Sequence, residues 1–435
     1  MFLVAIGIFE VGSLICGVAP SSLTLIVGRA IAGVGAAGVF AGAYLLIATS
    51  VPLVKRPTFT GLIGGMYGIA SVVGPLLGGV FTDKATWRWC FYINLPIGGI
   101  ATAVIVFFFT PVPQLGGKPS MTWRERLEQF DIAGTVFFLT GVICLLLALQ
   151  WGGFTYAWNS GSIIALFVVF GLCMIVFIGI QFWRPEFATV SPIMLRKRSV
   201  WAACAFAFFM GSAFFTTVYY LPIWFQAVKG VTAYQSGIRN IPILVSVVLG
   251  TIMSGGLVTK LGYYTPFMLA STVFTAIGAG LFTTFEVTTG PGMWIGYQIV
   301  AGFGIGLGLQ LPLVAIQTVL EMSEIPIATA LVLFMQLFGA AIFVSVGESV
   351  LTNKLVSYIS ANVPGVDAVS IASTGATNIR NAIPPQYLAG VIQVYDTAIT
   401  QIFILVTVMA CLTLIGSAAM EWKSVKGKKI EMGAA

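Results

Sequence analysis

Charged residues are scarce in this chain, and histidine is absent. Only 8% of the 435 residues are Asp, Glu, Lys or Arg, whereas 58% are hydrophobic, and the mean hydropathy is +1.00. Soluble globular proteins carry roughly a quarter charged residues, so the composition indicates a polytopic membrane protein. Without histidine the chain lacks the commonest zinc and copper ligand and the usual proton shuttle. We therefore expect no metal site and no cofactor, and we expect carboxylates or arginine-modulated polar groups to handle any coupling ion.

Signatures of nucleotide-driven or enzymatic chemistry are also missing. No Gly-x-x-x-x-Gly-Lys-Ser/Thr stretch occurs, so energy must come from a gradient, from a partner or not at all. The run from Gly33 to Gly38 fits the dinucleotide fingerprint by letter, but that motif needs a preceding strand, and this run lies within an apolar helix. We interpret it, and the glycines from Gly302 to Gly308, as sites of close helix packing. We expect a protein that is not an enzyme.

Twelve apolar segments are long enough to cross a bilayer, which takes about 20 residues. They are 1–19, 23–49, 59–81, 91–110, 131–150, 161–183, 201–225, 235–258, 265–285, 294–318, 327–350 and 396–419. Of the 21 lysines and arginines, fourteen lie in loops on one side, six lie on the other side, and Arg29 lies inside a helix. This asymmetry places both termini in the cytoplasm. It also explains the net charge of +7 without a nucleic-acid partner.

The third segment carries the most informative motif of the chain. Proline removes a backbone donor and glycines let neighbouring backbones touch, so the spacing describes a helix shaped to bend and to pack tightly. The motif resembles the antiporter signature of the major facilitator superfamily, with alanine at one position where glycine is usual. The matching residues are Gly61, Ala70, Gly74, Pro75, Gly78 and Gly79. The stretches 28–38, 87–98, 149–153, 219–226 and 235–240 carry the same resemblance.

The chain is most similar to the fourteen-helix drug:proton antiporter branch, of the fungal type that exports toxins and other secondary metabolites, with the first two helices missing. The resemblance implies an all-α polytopic membrane protein with the major facilitator fold and about 12 transmembrane helices present. Residues 1–110 would be the remnant of the N-terminal bundle, and 111–200 a linker with an inserted helix pair. Residues 201–419 would form a C-terminal six-helix bundle, and 420–435 a basic cytoplasmic tail.

Arg29 and Glu10 are the candidate proton-coupling residues. A charge near the bilayer centre is costly, so it is usually paired or lines a wet cavity. At 1.5 Å per residue, the two residues lie at similar depths on antiparallel neighbouring helices, and we expect them to meet. The family assigns the arginine of this motif to tuning a proton-carrying group. A static ion pair that clamps two helices is the alternative interpretation.

The remaining polar candidates have ordinary explanations beside the functional ones. The resemblance implies that the Gly61–Gly79 helix seals the interface with the other half, although it can also be a plain packing face. A cavity for bulky, weakly polar compounds would have aromatic walls and a few amides, but glutamines also bridge helices and aromatics also anchor helix ends. The candidates for that cavity are Gln310, Gln317, Gln336, Tyr219 and Tyr220. Asp131, Glu348 and Asp396 fall near predicted helix ends, where a capping or solvated carboxylate is expected.

The sequence therefore predicts efflux of hydrophobic small molecules by proton antiport with alternating access. The expected partners are a small-molecule substrate, protons and the lipid bilayer, and the expected location is the plasma membrane, with a monomer as the default state. Two alternatives stay open: a truncated or decayed copy that transports nothing, and a siderophore-type importer.

Overall fold

The structure is a computed structural model that describes residues 2–108, 131–185, 188–363, 368–374 and 379–426. The described residues form helices and connecting turns, with two isolated β-bridges and no β-strand. Lipid offers no hydrogen-bond partners, so a chain that crosses it satisfies its backbone within helices. The all-helical architecture predicted from composition is confirmed.

The first part of the chain forms seven helices. They are α1 (Phe2–Gly17), α2 (Ser22–Ser50), α3 (Arg56–Lys84), α4 (Trp89–Tyr92), α5 (Asn94–Phe108), α6 (Ile132–Trp151) and α7 (Gly161–Trp183). The second part begins with α8 (Pro192–Leu195), α9 (Arg198–Ala227), α10 (Ala233–Arg239), α11 (Ile241–Leu261) and α12 (Thr265–Phe282). It continues with α13 (Pro291–Gly308), α14 (Leu311–Val319), α15 (Ile325–Asn362), α16 (Ala368–Ser373), α17 (Ile379–Ala382) and α18 (Pro385–Ala419).

Every predicted segment coincides with one of these helices, alone or in two pieces. Ten helical stretches in the described chain are long and apolar enough to cross a membrane; α1 is a shorter apolar helix, and α3 has 29 residues. One expectation was wrong. The predicted segments 327–350 and 396–419 leave residues 351–395 as a connection between them, but α15 continues to Asn362 and α18 already begins at Pro385.

Proline sets several helix starts and one important break. Pro312 lies in the first turn of α14, where its missing N–H costs nothing. The segment predicted at 294–318 is therefore split, since α13 ends at Gly308 and α14 starts at Leu311. The break leaves Leu309 and Gln310 between the two helices.

The second half of the chain forms the packed core. In an apolar 18-residue stretch of Arg198–Ala227, 72% of the residues are buried, and in one of Pro291–Val319 83% are buried. The corresponding share in Ser22–Ser50 is 17%. Helix α9 packs against α15 and α18, while α6 and α7 pack on each other and α6 also packs on α15. The glycines of α13 make the close contacts expected of them: Gly302 and Gly306 approach the carbonyl groups of Ile243 and Val247 on α11.

The start of the C-terminal tail docks onto the turn between α11 and α12. The amide of Val425 donates to the Gly262 carbonyl at 2.8 Å, and the Tyr264 hydroxyl donates to the Glu421 carbonyl at 2.8 Å. Residues 421–426 of the predicted tail therefore pack on the protein. The rest of the tail, like the linker residues 111–130, lies outside the described residues.

Asp131 joins the inserted helix pair to the segment that leads into α9. Its carboxylate caps α6 by accepting from the Gly134 amide at 2.7 Å. It also accepts from the Gln181 side chain at 2.5 Å and from the Thr189 hydroxyl at 3.1 Å. Burial alone would raise the pKa of this carboxyl, but the hydrogen bonds from Gln181, Gly134 and Thr189 together hold it below its ordinary value of 3.8. The expected capping role is confirmed.

We expect Asp131→Ala to lower the free energy of unfolding by about 1 kcal/mol at neutral pH, since an N-cap is lost. Because the pKa is lowered in the folded state, the contribution of the charge is fully present above pH 3.8 and is lost as the pH falls through the folded value. The difference between wild type and Asp131→Ala should therefore shrink in acid. Thermal unfolding of the purified protein at neutral and acidic pH measures it. Asp131→Asn, which keeps a capping oxygen, is the matched control, and equal midpoints for wild type and Asp131→Ala at neutral pH would contradict the assignment.

Candidate functional site

The two halves of the chain meet where α3 lies against α11. Gly61, Gly64, Gly65 and Gly68 are buried on one face of α3. A Cβ added at Gly61 would lie 2.9 Å from the carbonyl oxygen of Thr251, so no larger residue fits without movement. Small residues let membrane helices approach at backbone distance, and the expected contact between this helix and the other half is present.

The later part of the motif does not take part in this contact. Ala70 and Gly74 are exposed, and a Cβ at Gly74 would meet no atom within 4 Å. A Cβ at Gly78 would lie 4.0 Å from the Cys90 sulfur, which belongs to the first half. Pro75 and Gly79 also belong to α3, and their contacts lie outside the part that the structure describes.

Polar contacts close the interface at one end of the molecule, which we call the basic end because Arg56, Lys197 and Lys260 lie there. The hydroxyls of Thr58 and Thr259 are 2.9 Å apart and join α3 to α11. Arg56 is only 2% exposed and donates to the Val51 carbonyl at 3.0 Å. The contact between α3 and α11 at this end is therefore made by two neutral hydroxyls.

A cavity of about 260 Å³ lies between the two halves, beyond the glycine contact. Both halves contribute to its walls: α2 and α3 from the first, and α9, α15 and the α13–α14 break from the second. The described lining residues are Gly33, Ala36, Ala37, Phe40, Tyr67, Phe214, Phe215, Leu309, Gln310, Gln336 and Leu337. None of these side chains carries a formal charge at neutral pH. The volume is close to the lower end of the range for small-molecule sites, about 300–1,000 Å³.

Four aromatic residues line the cavity. The Tyr67 ring centroid lies 6.2 Å from that of Phe40, 6.4 Å from that of Phe214 and 6.3 Å from that of Phe215. The Tyr44 hydroxyl donates to Gln310 Oε1 at 2.8 Å and so ties α2 to the α13–α14 break. The arrangement can bind a flat, apolar molecule by ring contacts and orient it through two side-chain amides.

Comparison with known proteins identifies the family. The sequence profile of the Major Facilitator Superfamily matches residues 1–344. The chain belongs to this superfamily. It is thus a multi-pass membrane transporter rather than an enzyme, and the resemblance inferred from the motifs is confirmed.

Several curated relatives of this facilitator are fungal. It is 54% identical over 435 residues to the MFS-type efflux pump MFS1 of Arthroderma benhamiae, covering 100% of this chain and 81% of the relative. It is 49% identical to the MFS-type transporter astH of Aspergillus oryzae, covering 99% and 76%. It is 47% identical to the efflux pump aflT of Aspergillus parasiticus, covering 98% and 83%.

A solved structure shares the fold at low sequence identity. The human organic anion transporter MFSD10 (TETRAN) matches with a TM-score of 0.54 and 11% identity, covering 94% of this chain and 76% of that one. This likeness supports the major facilitator fold and carries no information on substrate.

The structure divides the candidate cavity residues into two groups. Gln310 and Gln336 line the cavity. Gln317 is buried beyond it, and neither of its amide atoms has a hydrogen-bond partner in the described structure. Tyr220 is buried and donates to the Val344 carbonyl at 2.8 Å, while Tyr219 packs on its edge with ring centroids 5.0 Å apart.

The aromatic residues Phe40, Tyr44, Tyr67, Phe214 and Phe215 were missed by the sequence analysis. In an uninterrupted apolar segment an aromatic ring does not stand out by hydropathy. The sequence feature that could have located them is the run of small residues before Phe40. Gly33 of this run lines the cavity, and a Cβ added to it would meet no atom within 4 Å. Of the glycines read as packing sites, Gly35 and Gly38 do pack closely, against Phe9 and Ala5 of α1.

Glu10 and Arg29 do not form the expected pair. The register of α1 on α2 sets Gly12 against Ala32, so Glu10 is level with the residues near 34, about 8 Å along the helix from Arg29. The two residues also point away from the α1–α2 contact. The Glu10 carboxyl packs against Gly98 of α5, whereas Arg29 is exposed. No ion pair joins them in the described structure, so the depth estimate was too coarse.

The default interpretation of Asp396 was also wrong. This residue lies inside α18 rather than at its end, and it is only 3% exposed. Its Oδ1 accepts from Trp224 Nε1 at 2.7 Å. Glu348 also lies inside a helix, α15, rather than near its end, but it is exposed and accepts from the Tyr220 hydroxyl at 3.3 Å.

We expect Gly61→Ala to destabilise the contact between the halves by about 1–3 kcal/mol, because the added methyl group overpacks against the Thr251 carbonyl. Gly74→Ala, the matched control in the same helix, should leave the stability unchanged or slightly raised, since space is open there and alanine favours a helix. Thermal unfolding of both variants in detergent measures the difference. Equal midpoints for the two variants would show that the glycine contact does not set the packing.

Proposed function

We propose that this facilitator exports neutral, largely apolar small molecules of the toxin or secondary-metabolite kind in exchange for protons. The observation that carries the proposal is the cavity between the halves, with its aromatic walls and two amides. A permanently charged substrate would leave its charge unpaired there, which is costly in a site of low polarity. A neutral molecule with one or two polar groups meets matching partners.

Three kinds of support bear on direction and location. The relatives from Arthroderma benhamiae and Aspergillus parasiticus are named efflux pumps, which favours export over import of a metal chelate. The excess of basic residues on one side favours a cytoplasmic basic end, and hence both termini in the cytoplasm. The plasma membrane and a monomeric state complete the proposal by family resemblance.

For proton coupling we propose Glu10 as a proton carrier and Arg29 as a group that modulates it. Glu10 Oε2 is buried without a hydrogen-bond partner in the described structure, and an ionisable side chain at membrane depth typically marks an ion or proton pathway. For Arg29 to modulate Glu10, another state of the transport cycle has to bring the two side chains closer together. We further propose that the Gly61–Gly79 helix serves as the seal between the halves.

The first experiment tests antiport by the full chain reconstituted into liposomes. The pH-sensitive dye pyranine in the lumen reports proton movement. Nile red, a neutral aromatic dye, is the transported probe. We expect its addition to drive a proton movement that a protonophore abolishes, and we expect Glu10→Gln to lose this movement while still binding the dye. The movement should also be lost in Arg29→Ala if Arg29 modulates coupling.

Three outcomes of this experiment count against the proposal. Dye-dependent proton movement that persists in Glu10→Gln would remove Glu10 from the coupling mechanism. Dye transport with no proton movement in wild type would refute antiport itself, and no transport at all would support the alternative of a non-transporting chain. Glu421→Gln, at the basic end and outside the membrane helices, is the matched control.

A second prediction concerns the cavity. Tyr44→Phe removes the hydroxyl that holds Gln310, and a hydrogen bond of about 0.5–1.5 kcal/mol corresponds to a loss of roughly 2- to 10-fold in Nile red affinity. Tyr219→Phe makes the same chemical change outside the cavity and should bind the dye as wild type does. Fluorescence titration of the purified variants measures both affinities. A larger loss in Tyr219→Phe would move the substrate site to the place first expected from sequence.

A further inference from the structure

Asp396 is the one acidic side chain that is buried in the described structure. It lies in α18, eleven residues after Pro385, at the end of the molecule opposite the basic end. A carboxylate buried in a protein interior is costly unless it is paired and hydrogen-bonded. Neither the antiporter motif nor the cavity accounts for an acid at this position.

One hydrogen bond and no ion pair hold the carboxylate. Trp224 Nε1 of α9 donates to Oδ1, and the described residues place no cation within ion-pair distance of Asp396. Lys229, the nearest candidate, donates instead to the Val287 carbonyl at 2.5 Å. Its ammonium also lies 5.2 Å from the centroid of the Trp224 ring. The lysine is therefore close enough to attract the carboxylate but is bonded elsewhere.

The elements near this position carry further charged groups. Lys229 follows α9 and Glu286 follows α12, and both interact electrostatically with Asp396. Arg239 of α10 interacts in turn with Lys229. Helix α15 contributes Glu348, which hydrogen-bonds to Tyr220, and Lys354, which contacts Tyr358. Glu286 is exposed and interacts electrostatically with Asp396, so a surface carboxylate lies near the buried acid.

We infer that Asp396 is a proton-binding site of the C-terminal half, open to the side opposite the basic end. The inference rests on the proposed proton antiport. A proton from that side adds to Oδ2, where an O–H bond forms and the carboxylate becomes a neutral carboxyl, while Oδ1 still accepts from Trp224. The proton leaves by the reverse step. Neutralisation removes the attraction to Lys229 and so loosens the contact between α18 and the segment after α9.

A purely structural tie between α9 and α18 is the competing explanation, and one substitution separates the two. Asp396→Asn keeps the volume of the side chain and an oxygen that accepts from Trp224, but it cannot take up a proton. A structural tie predicts wild-type behaviour for this variant. A proton site predicts that the variant stays folded and loses a titration.

The deciding measurement is infrared difference spectroscopy of the full chain in lipid as the pH is lowered from neutral to mildly acidic. We expect wild type and the matched control Glu321→Gln to gain the C=O band of a protonated carboxyl. We expect part of this band to be missing in Asp396→Asn. Equal bands in Asp396→Asn and wild type would overturn the inference, whether or not the protein transports protons.

A transport measurement then connects the site to the cycle. In the pyranine liposomes, Asp396→Asn should still bind Nile red and should lose at least 10-fold in dye-driven proton movement. Retention of the wild-type rate would overturn the role in transport. If wild type itself moves no protons, antiport fails, and the infrared result alone decides whether Asp396 binds a proton.

Discussion

The backbone contact between α3 and α11 is the constraint on which the arrangement of the two halves depends. Between membrane helices there is no hydrophobic driving force of the kind that holds soluble cores together, so close van der Waals packing has to supply the attraction. Gly61 on α3 and Gly255 on α11 leave no side chain between the two backbones. Gly64 lies against both Thr251 and the Gln310 side chain. The same glycine face therefore joins the halves and positions an amide at the edge of the cavity.

Scarcity of charge makes the contacts of the few interior polar groups informative. Several buried hydroxyls of the described helices, such as those of Thr217 and Thr318, donate to the carbonyl four residues earlier in the same helix. Other polar side chains connect different elements. Tyr44 bonds Gln310 across the halves, and Trp224 bonds Asp396 between α9 and α18. In a medium that supplies no competing water, such contacts are where function is to be sought.

The helices and the glycine face were predictable from sequence because hydropathy and small-residue spacing follow directly from the demands of lipid. The rotation of each helix was not. Counting residues from the turn predicted that Glu10 and Arg29 lie at similar depths and meet. The register of α1 on α2, in which Gly12 contacts Ala32, separates them. Asp396 was misplaced for another reason, since polar residues before it suggested a connection where α18 had already begun. The aromatic residues of the cavity were not predicted, because an aromatic residue among many apolar neighbours does not change the hydropathy pattern.

The separation of the cavity from the acidic residues constrains how coupling can work. No described lining residue is a carboxylate or a cation, so a neutral substrate and a proton do not compete for one side chain. Coupling must then pass through the positions of helices. Helix α9 is suited to this, because it supplies Phe214 and Phe215 to the cavity and Trp224 to Asp396, about 15 Å further along the same helix. In the proposed antiport, a substrate that displaces the phenylalanines would shift the tryptophan as well, and a proton that neutralises the aspartate would act back on the cavity wall.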